Sequence, residues 1–162
     1  MVIIMWKKIK PYIISVIIAL AVGGLSTLLT KNNMWVYDNI MRPALAPPMV
    51  AFPIVWSILF ILMGISSAIV WVNREKNPDT AFEALRVYGL NLIINFFWSI
   101  IFFNMQAYVF AFIWLILLWV FILVMIVQFK KISPLAAYLQ IPYLLWVTFA
   151  GYLTLMIYLL NG

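Results

Sequence analysis

"VYGLNLIINFFWSIIFFNMQAYVFAFIWLILLWVFILVMIVQF", residues 87–129, runs for 43 residues without a charge. An α-helix rises about 1.5 Å per residue, so one continuous helix of this length would reach roughly 65 Å, about twice the hydrocarbon thickness of a bilayer. The stretch must double back, and its one polar break is Asn104-Met105-Gln106. A turn there makes two membrane spans of one sequence run.

Three further charge-free stretches, 11–30, 43–73 and 132–162, each hold one span. The expectation is an all-α integral membrane bundle of five transmembrane helices near 11–30, 48–72, 86–103, 107–129 and 134–160. No linker, repeat or low-complexity segment interrupts the chain, so residues 1–162 are expected to form a single domain. Composition agrees: 68% of residues are hydrophobic, 9% are charged and the mean hydropathy is +1.15, outside the balance of soluble domains. The start has a basic patch before an apolar run, as secretory signals do, but the run is longer than their usual core and reads as a retained span.

Lysine and arginine near span ends are held on the cytoplasmic side. Lys7, Lys8, Lys10, Arg74, Lys76, Arg86, Lys130 and Lys131 fall on one side of the five-span plan, and only Lys31 and Arg42 on the other. The expected topology places the N-terminus in the cytoplasm and the C-terminus outside. Topology thus accounts for the net charge of +6, and no nucleic-acid partner is needed.

The chain has no Cys and no His, so thiol chemistry and the commonest metal ligand are missing. Its four carboxylates, Asp38, Glu75, Asp79 and Glu83, are all assigned to loops. An intramembrane proton relay or hydrolytic carboxylate pair is therefore not expected, nor any metal or cofactor. What remains for function is aromatic rings, amides, hydroxyls and backbone.

Those groups are arranged in stripes at helical spacing. Phe52, Trp56, Phe60 and Met63 share a face of the second span, Asn91, Asn95, Trp98 and Phe102 of the third, and Pro142, Trp146, Ala150 (or Phe149) and Leu153 of the fifth. A single aromatic stripe is more often packing or lipid contact. Two amides in an apolar zone are different, because an unpaired polar group there is costly, so Asn91 and Asn95 are expected to face the bundle and find partners. Pro142 is expected inside the last helix, kinking it and freeing the carbonyl of Tyr138. The first loop, "TKNNMWVYDNIMRPALAPP" (30–48), is stiffened by Pro43, Pro47 and Pro48 and suits a lid; Pro48 is expected in the first turn of the second span. Ala19, Gly23 and Thr27, Gly64 and Ala68, and Ala150 and Thr154 permit close helix approach, within the chain or between chains.

"PALAPPMVAFPIVW" (43–56), "NFFWSIIFF" (95–103) and "IPYLLWVTFAGYL" (141–153) together resemble the PxWxPPxxxFxxxW, NxxWxxxFF and PYxxWxxFAxxL signatures of the TspO/MBR family, the tryptophan-rich sensory proteins related to the mitochondrial translocator protein, or peripheral benzodiazepine receptor. The resemblance covers nearly the whole chain. It implies a five-helix bundle, often a homodimer, with a pocket under the first loop for porphyrins such as protoporphyrin IX, sterols in some members, and synthetic benzodiazepine-type ligands. It further implies that Trp56 and Trp146 match tryptophans tied to porphyrin binding and, if the protein is an enzyme, to light- and oxygen-dependent breakdown. Asn95 and Trp98 match the helix-3 pair lining the pocket, Tyr37 and Pro47 its loop side, and Ala150 the small residue against which ligand packs. Leu45, Asn91 and Thr154 depart from the Trp, Gln and Asn usual in the family. No Lys or Arg follows Tyr152 or Tyr158, which breaks the proposed cholesterol pattern.

A tetrapyrrole is a flat apolar disc with acidic edge groups, so a slot walled by Trp56, Trp98 and Trp146, with Phe52 and Phe102 on the same stripes, suits its faces. Arg42, with Lys31 before it, suits its carboxylates. The expected function is a membrane receptor or carrier for porphyrins and similar apolar molecules. A porphyrin-degrading enzyme and a ligand-free structural subunit are the alternatives.

Overall fold

The computed structural model describes Val2 to Gly162, and among these residues there is no strand. The chain runs through α1 (Val2–Thr30), a 3-10 turn (Lys31–Asn33), α2 (Val36–Asn39), α3 (Ala51–Val72), a second 3-10 turn (Arg74–Lys76), α4 (Pro78–Ser99), a π-helical turn (Ile100–Asn104), α5 (Tyr108–Ile132), α6 (Pro134–Tyr138) and α7 (Ile141–Asn161). Among the described residues five segments are long and apolar enough to cross a membrane: Ile3–Asn33, Ala51–Val72, Pro78–Asn104, Tyr108–Ile132 and Pro134–Asn161. The five-span architecture is the one expected.

Several boundaries are not. α1 begins at Val2 rather than near residue 11 and carries Lys7, Lys8 and Lys10 on helix, with Pro11 inside it. α4 begins at Pro78 rather than near 86, because the Asn77 side chain accepts from the Thr80 N–H at 3.3 Å and proline suits the first turn. Asp79 and Glu83 therefore lie on α4 and their assignment to a loop is corrected, whereas Asp38 on α2 and Glu75 in a 3-10 turn do lie in the connections between spans. Absence of charge marks the part of a helix that meets hydrocarbon, whereas caps and dipole-matched acids let it continue into the interface.

The prolines also fall differently. α3 starts at Ala51, after a turn in which the Pro48 carbonyl accepts from the Ala51 N–H at 2.9 Å, so Pro53 rather than Pro48 occupies the first helical turn. The last span is two helices, with Leu139 and Gln140 between them, and Pro142 lies in the first turn of α7 instead of in a helix interior. Its ring would clash with the Tyr138 carbonyl in a continuous helix, so the chain stops and restarts.

The turn at Asn104-Met105-Gln106 forms as expected. Met105 N–H donates to Ile100 O at 3.0 Å and Ala107 N–H to Ile101 O at 3.3 Å, while Gln106 takes a left-handed φ of 52° to end the helix. Asn104 then ties the turn to the first span, donating to Leu29 O at 3.0 Å and accepting from Asn33 Nδ2 at 2.9 Å.

α1 packs along α3 and touches α4; α4 packs on α5, α5 on α7, and Ser66 of α3 donates to Ala136 O of α6, which closes the ring. The small residues serve this packing. A Cβ on Gly64 would sit 2.5 Å from the Val16 Cα, and one on Gly23 2.4 Å from the Phe60 ring; Ala19, Ala68, Ala150 and Thr154 are buried. The approaches at Gly64 and Gly23 are made within the chain, whereas Thr27 is exposed.

Candidate functional site

The end of the bundle that carries the first loop is built from polar contacts few in number and specific in place. Tyr37, on α2, is almost wholly buried: its hydroxyl donates to Pro47 O at 2.8 Å, its ring meets Phe52 edge-on at 5.0 Å, and the Arg42 guanidinium covers the other side at 4.8 Å. Burial pushes the Tyr37 phenol above its ordinary value of 10.0, against the opposing pull of Arg42, so it stays a neutral donor. Arg42 also reaches Asp38, four residues earlier, at 3.4 Å, across the extended backbone that follows α2. Tyr37 thereby pins the proline segment down onto α3.

The loop has a second latch. The Asn161 carboxamide accepts from Met41 N–H at 2.9 Å and donates to Met41 O at 2.8 Å, fixing the loop to the end of α7. Asn161→Ala should raise amide hydrogen exchange across residues 36–50 roughly thirtyfold, since two hydrogen bonds worth about 1 kcal/mol each are lost. Unchanged protection would mean that Tyr37 alone holds the loop.

Beneath the loop lies a cavity of about 60 Å³, walled by Phe52 and Trp56 of α3, Asn95 and Trp98 of α4, and roofed by Met34 and Met49. A smaller space of about 10 Å³ adjoins it, lined by Tyr37, Phe102 and Ala150 and sharing Phe52 and Trp98 with the first. The rings of Phe52, Trp98 and Phe103, which line both, thus stand between the two hollows. Trp98 stacks on Phe102 at 5.4 Å, and its buried indole N–H has no partner among the described residues.

The floor is a polar knot. Asn95 Nδ2 donates to the Tyr143 hydroxyl at 2.8 Å, and that hydroxyl donates to Asn91 Oδ1 at 3.0 Å. Both amides face the bundle, as the cost of an unpaired polar group demands. Trp56 lies against the same phenol, 6.1 Å between ring centroids.

Of the residues singled out in the sequence, Phe52, Trp56, Asn95 and Trp98 meet at the larger cavity, and Tyr37, Phe102 and Ala150 at the smaller one. Arg42 and Pro47 lie on the outer face of the loop, around a shallow depression. Trp146 lines neither cavity: it sits behind Phe52, edge-on at 5.9 Å, with its indole N–H buried and unpartnered among the described residues. The expected slot with three tryptophan walls is therefore two walls and a ring in reserve. Tyr143, Phe103 and the α1 residues Ser26 and Thr30 belong to the site and were not expected. Ser26 and Thr30 lie three and seven positions after Gly23, a spacing that puts all three on one face of α1; that regularity was the available signal.

A family model described as "TspO/MBR family" matches residues 15–160. A "Tryptophan-rich protein TspO" of Chlorobaculum tepidum is 36% identical over 160 residues, covering 96% of this chain and 98% of that protein. "Protein CrtK" of Rhodobacter capsulatus is 32% identical over 89% of each chain, and the "Translocator protein" of Sus scrofa 30% identical over 76% of this chain and 73% of its own.

Proposed function

Since this chain belongs to the TspO/MBR family, we propose that it binds porphyrins, protoporphyrin IX among them, and related flat apolar molecules beneath the first loop. The observation that carries this reading is the convergence of Trp56, Trp98 and the Asn95 amide on one cavity closed by a latched loop. Two indole faces suit a planar ring, and the unpartnered Trp98 N–H offers a donor to it.

The cavity of about 60 Å³ is far below the roughly 300–1,000 Å³ of sites that enclose small ligands. Binding accordingly requires the loop to lift and Phe52 to swing, which joins the two hollows and brings Trp146 into the wall. Arg42, released from Asp38, then faces the ligand carboxylates at the mouth. The basic residues are gathered at the opposite end, which by the positive-inside bias puts the N-terminus in the cytoplasm and this mouth outside, in a bacterial plasma membrane.

Titrating the purified protein with protoporphyrin IX tests this. Saturable quenching of tryptophan emission is expected, with Trp98→Leu or Trp56→Leu weakening affinity about tenfold, the worth of an aromatic face near 1–1.5 kcal/mol. Unsaturable quenching identical in both variants would sink the reading. Illumination under oxygen separates binding from turnover: a spectrally distinct product formed over many cycles, and lost in Trp56→Leu, would establish an enzyme, while bleaching at the rate in detergent alone leaves a receptor or carrier.

A further inference from the structure

The cavity under the loop is not the only hollow of this bundle. At the opposite, basic end a groove of about 510 Å³ opens between α1, α3 and α4. Its origin is visible in the packing. α1 and α3 are pressed together where Gly64 meets the Val16 backbone; beyond that contact Pro11 and Ile14 face Ser67 and Trp71 across open space, with Tyr88 of α4 at the back.

The groove has two chemistries. Its depth is apolar and its volume falls in the range that holds small amphiphiles. Its mouth is cationic: Lys7 and Lys10 line it, and the Arg74 guanidinium stacks 4.2 Å over the Trp71 ring. No Asp or Glu is among the lining residues. At the back Tyr88 is only 7% exposed; Ser67 neighbours its hydroxyl but donates to Gly64 O at 3.0 Å, and no hydrogen bond of good geometry is made to the Tyr88 hydroxyl among the described residues. A buried donor without a partner, in a groove that opens towards acyl chains, calls for an occupant carrying oxygen acceptors.

We infer that this groove binds one anionic membrane lipid. Its phosphate lies between Lys7 and Lys10, an acyl chain runs along Ile14, Ile18 and Trp71, and the Tyr88 hydroxyl donates to an ester oxygen. A free phosphate ion would satisfy the lysines and leave the apolar walls bare. A neutral lipid would fill the walls and leave the cationic mouth without a counter-charge.

Trp71 reports occupancy. The full chain is reconstituted in phosphatidylcholine vesicles containing a minority of phosphatidylglycerol, with bromine on the chains of one lipid or the other, and the Trp71 component is taken as the difference between wild type and Trp71→Phe. Brominated phosphatidylglycerol should quench that component about fivefold more effectively per mole than brominated phosphatidylcholine, and more if both lysines act fully, each cationic side chain being worth about that factor. Lys7→Gln with Lys10→Gln should bring the two lipids to parity, and Lys130→Gln with Lys131→Gln, at the same end of the bundle, should not. Equal quenching in the wild type would overturn the inference. So would an equal loss in the Lys130/Lys131 pair, which would reduce the effect to diffuse surface charge, or displacement of the brominated lipid by inorganic phosphate.

Discussion

Tyr143→Phe is expected to destabilise the protein by about 2 kcal/mol and to lower its melting temperature by roughly 4–8 °C, although it removes a single oxygen. Among the described residues the Tyr143 hydroxyl joins α7 to the two amides of α4: it accepts from Asn95 and donates to Asn91. Without it Asn91 Oδ1 and Asn95 Nδ2 lose their partners in an environment with no water to replace them. Asn91 Nδ2 already lacks a partner among the described residues, so the knot has no spare bond to redistribute. Hydrogen bonds between membrane helices average well under the value expected for hydrocarbon, and a loss nearer 1 kcal/mol would place this knot with that average. A double-mutant cycle decides the cause: Asn91→Leu combined with Tyr143→Phe should cost less than the sum of the two alone. Additive losses would show that the phenol acts only by filling space. Porphyrin affinity should fall too, because Asn95 and Trp56 both rest on this phenol.

The second large effect is expected at Gly64. A methyl group there would lie 2.5 Å from Val16 Cα and 2.8 Å from Val16 N, atoms of backbone that cannot rotate away. Gly64→Ala must therefore push α1 off α3, at a cost of about 3 kcal/mol or more, the upper end for overpacking. Gly23→Ala meets the Phe60 ring instead, and that ring borders the cavity under the loop, so it has somewhere to turn. A smaller loss, with altered ligand affinity, is expected. Gly24 and Gly151 have nothing within 4 Å of an added Cβ, and alanine there should leave the melting temperature within a degree or two, or raise it slightly. Equal melting temperatures for Gly64→Ala and Gly24→Ala would refute the close α1–α3 contact.

These glycines show where sequence pattern reaches its limit. Gly64 has Ala68 one turn on whereas Gly24 has Leu20 and Leu28, so spacing separates them, but only the fold shows that Gly64 meets the Val16 backbone and that nothing lies within 4 Å of a Cβ on Gly24. The tryptophans repeat the lesson. Trp56 and Trp146 each sit on an aromatic stripe, but Trp56 faces the cavity and Trp146 is screened from it by Phe52. Tyr143 stands in the same motif as Trp146 and was passed over, because a tyrosine in a span gives no local sign of which amide it will meet.

The chain's own letters determined the five spans, the reversal at Asn104-Met105-Gln106, the inward turn of Asn91 and Asn95 and the rigid character of the first loop. Those features follow from length, charge, hydration and proline stereochemistry, which act within one helix or one turn. Tertiary structure alone decided which ring lines the cavity, that Tyr143 joins the two amides, that Gly64 and Gly23 serve packing within the chain, and that a groove opens at the basic end. In a bilayer a helix is apolar on its lipid face and its buried face alike, so periodicity does not fix its rotation or its neighbours. Close packing and a few interhelical hydrogen bonds do, and they exist only once the helices have met.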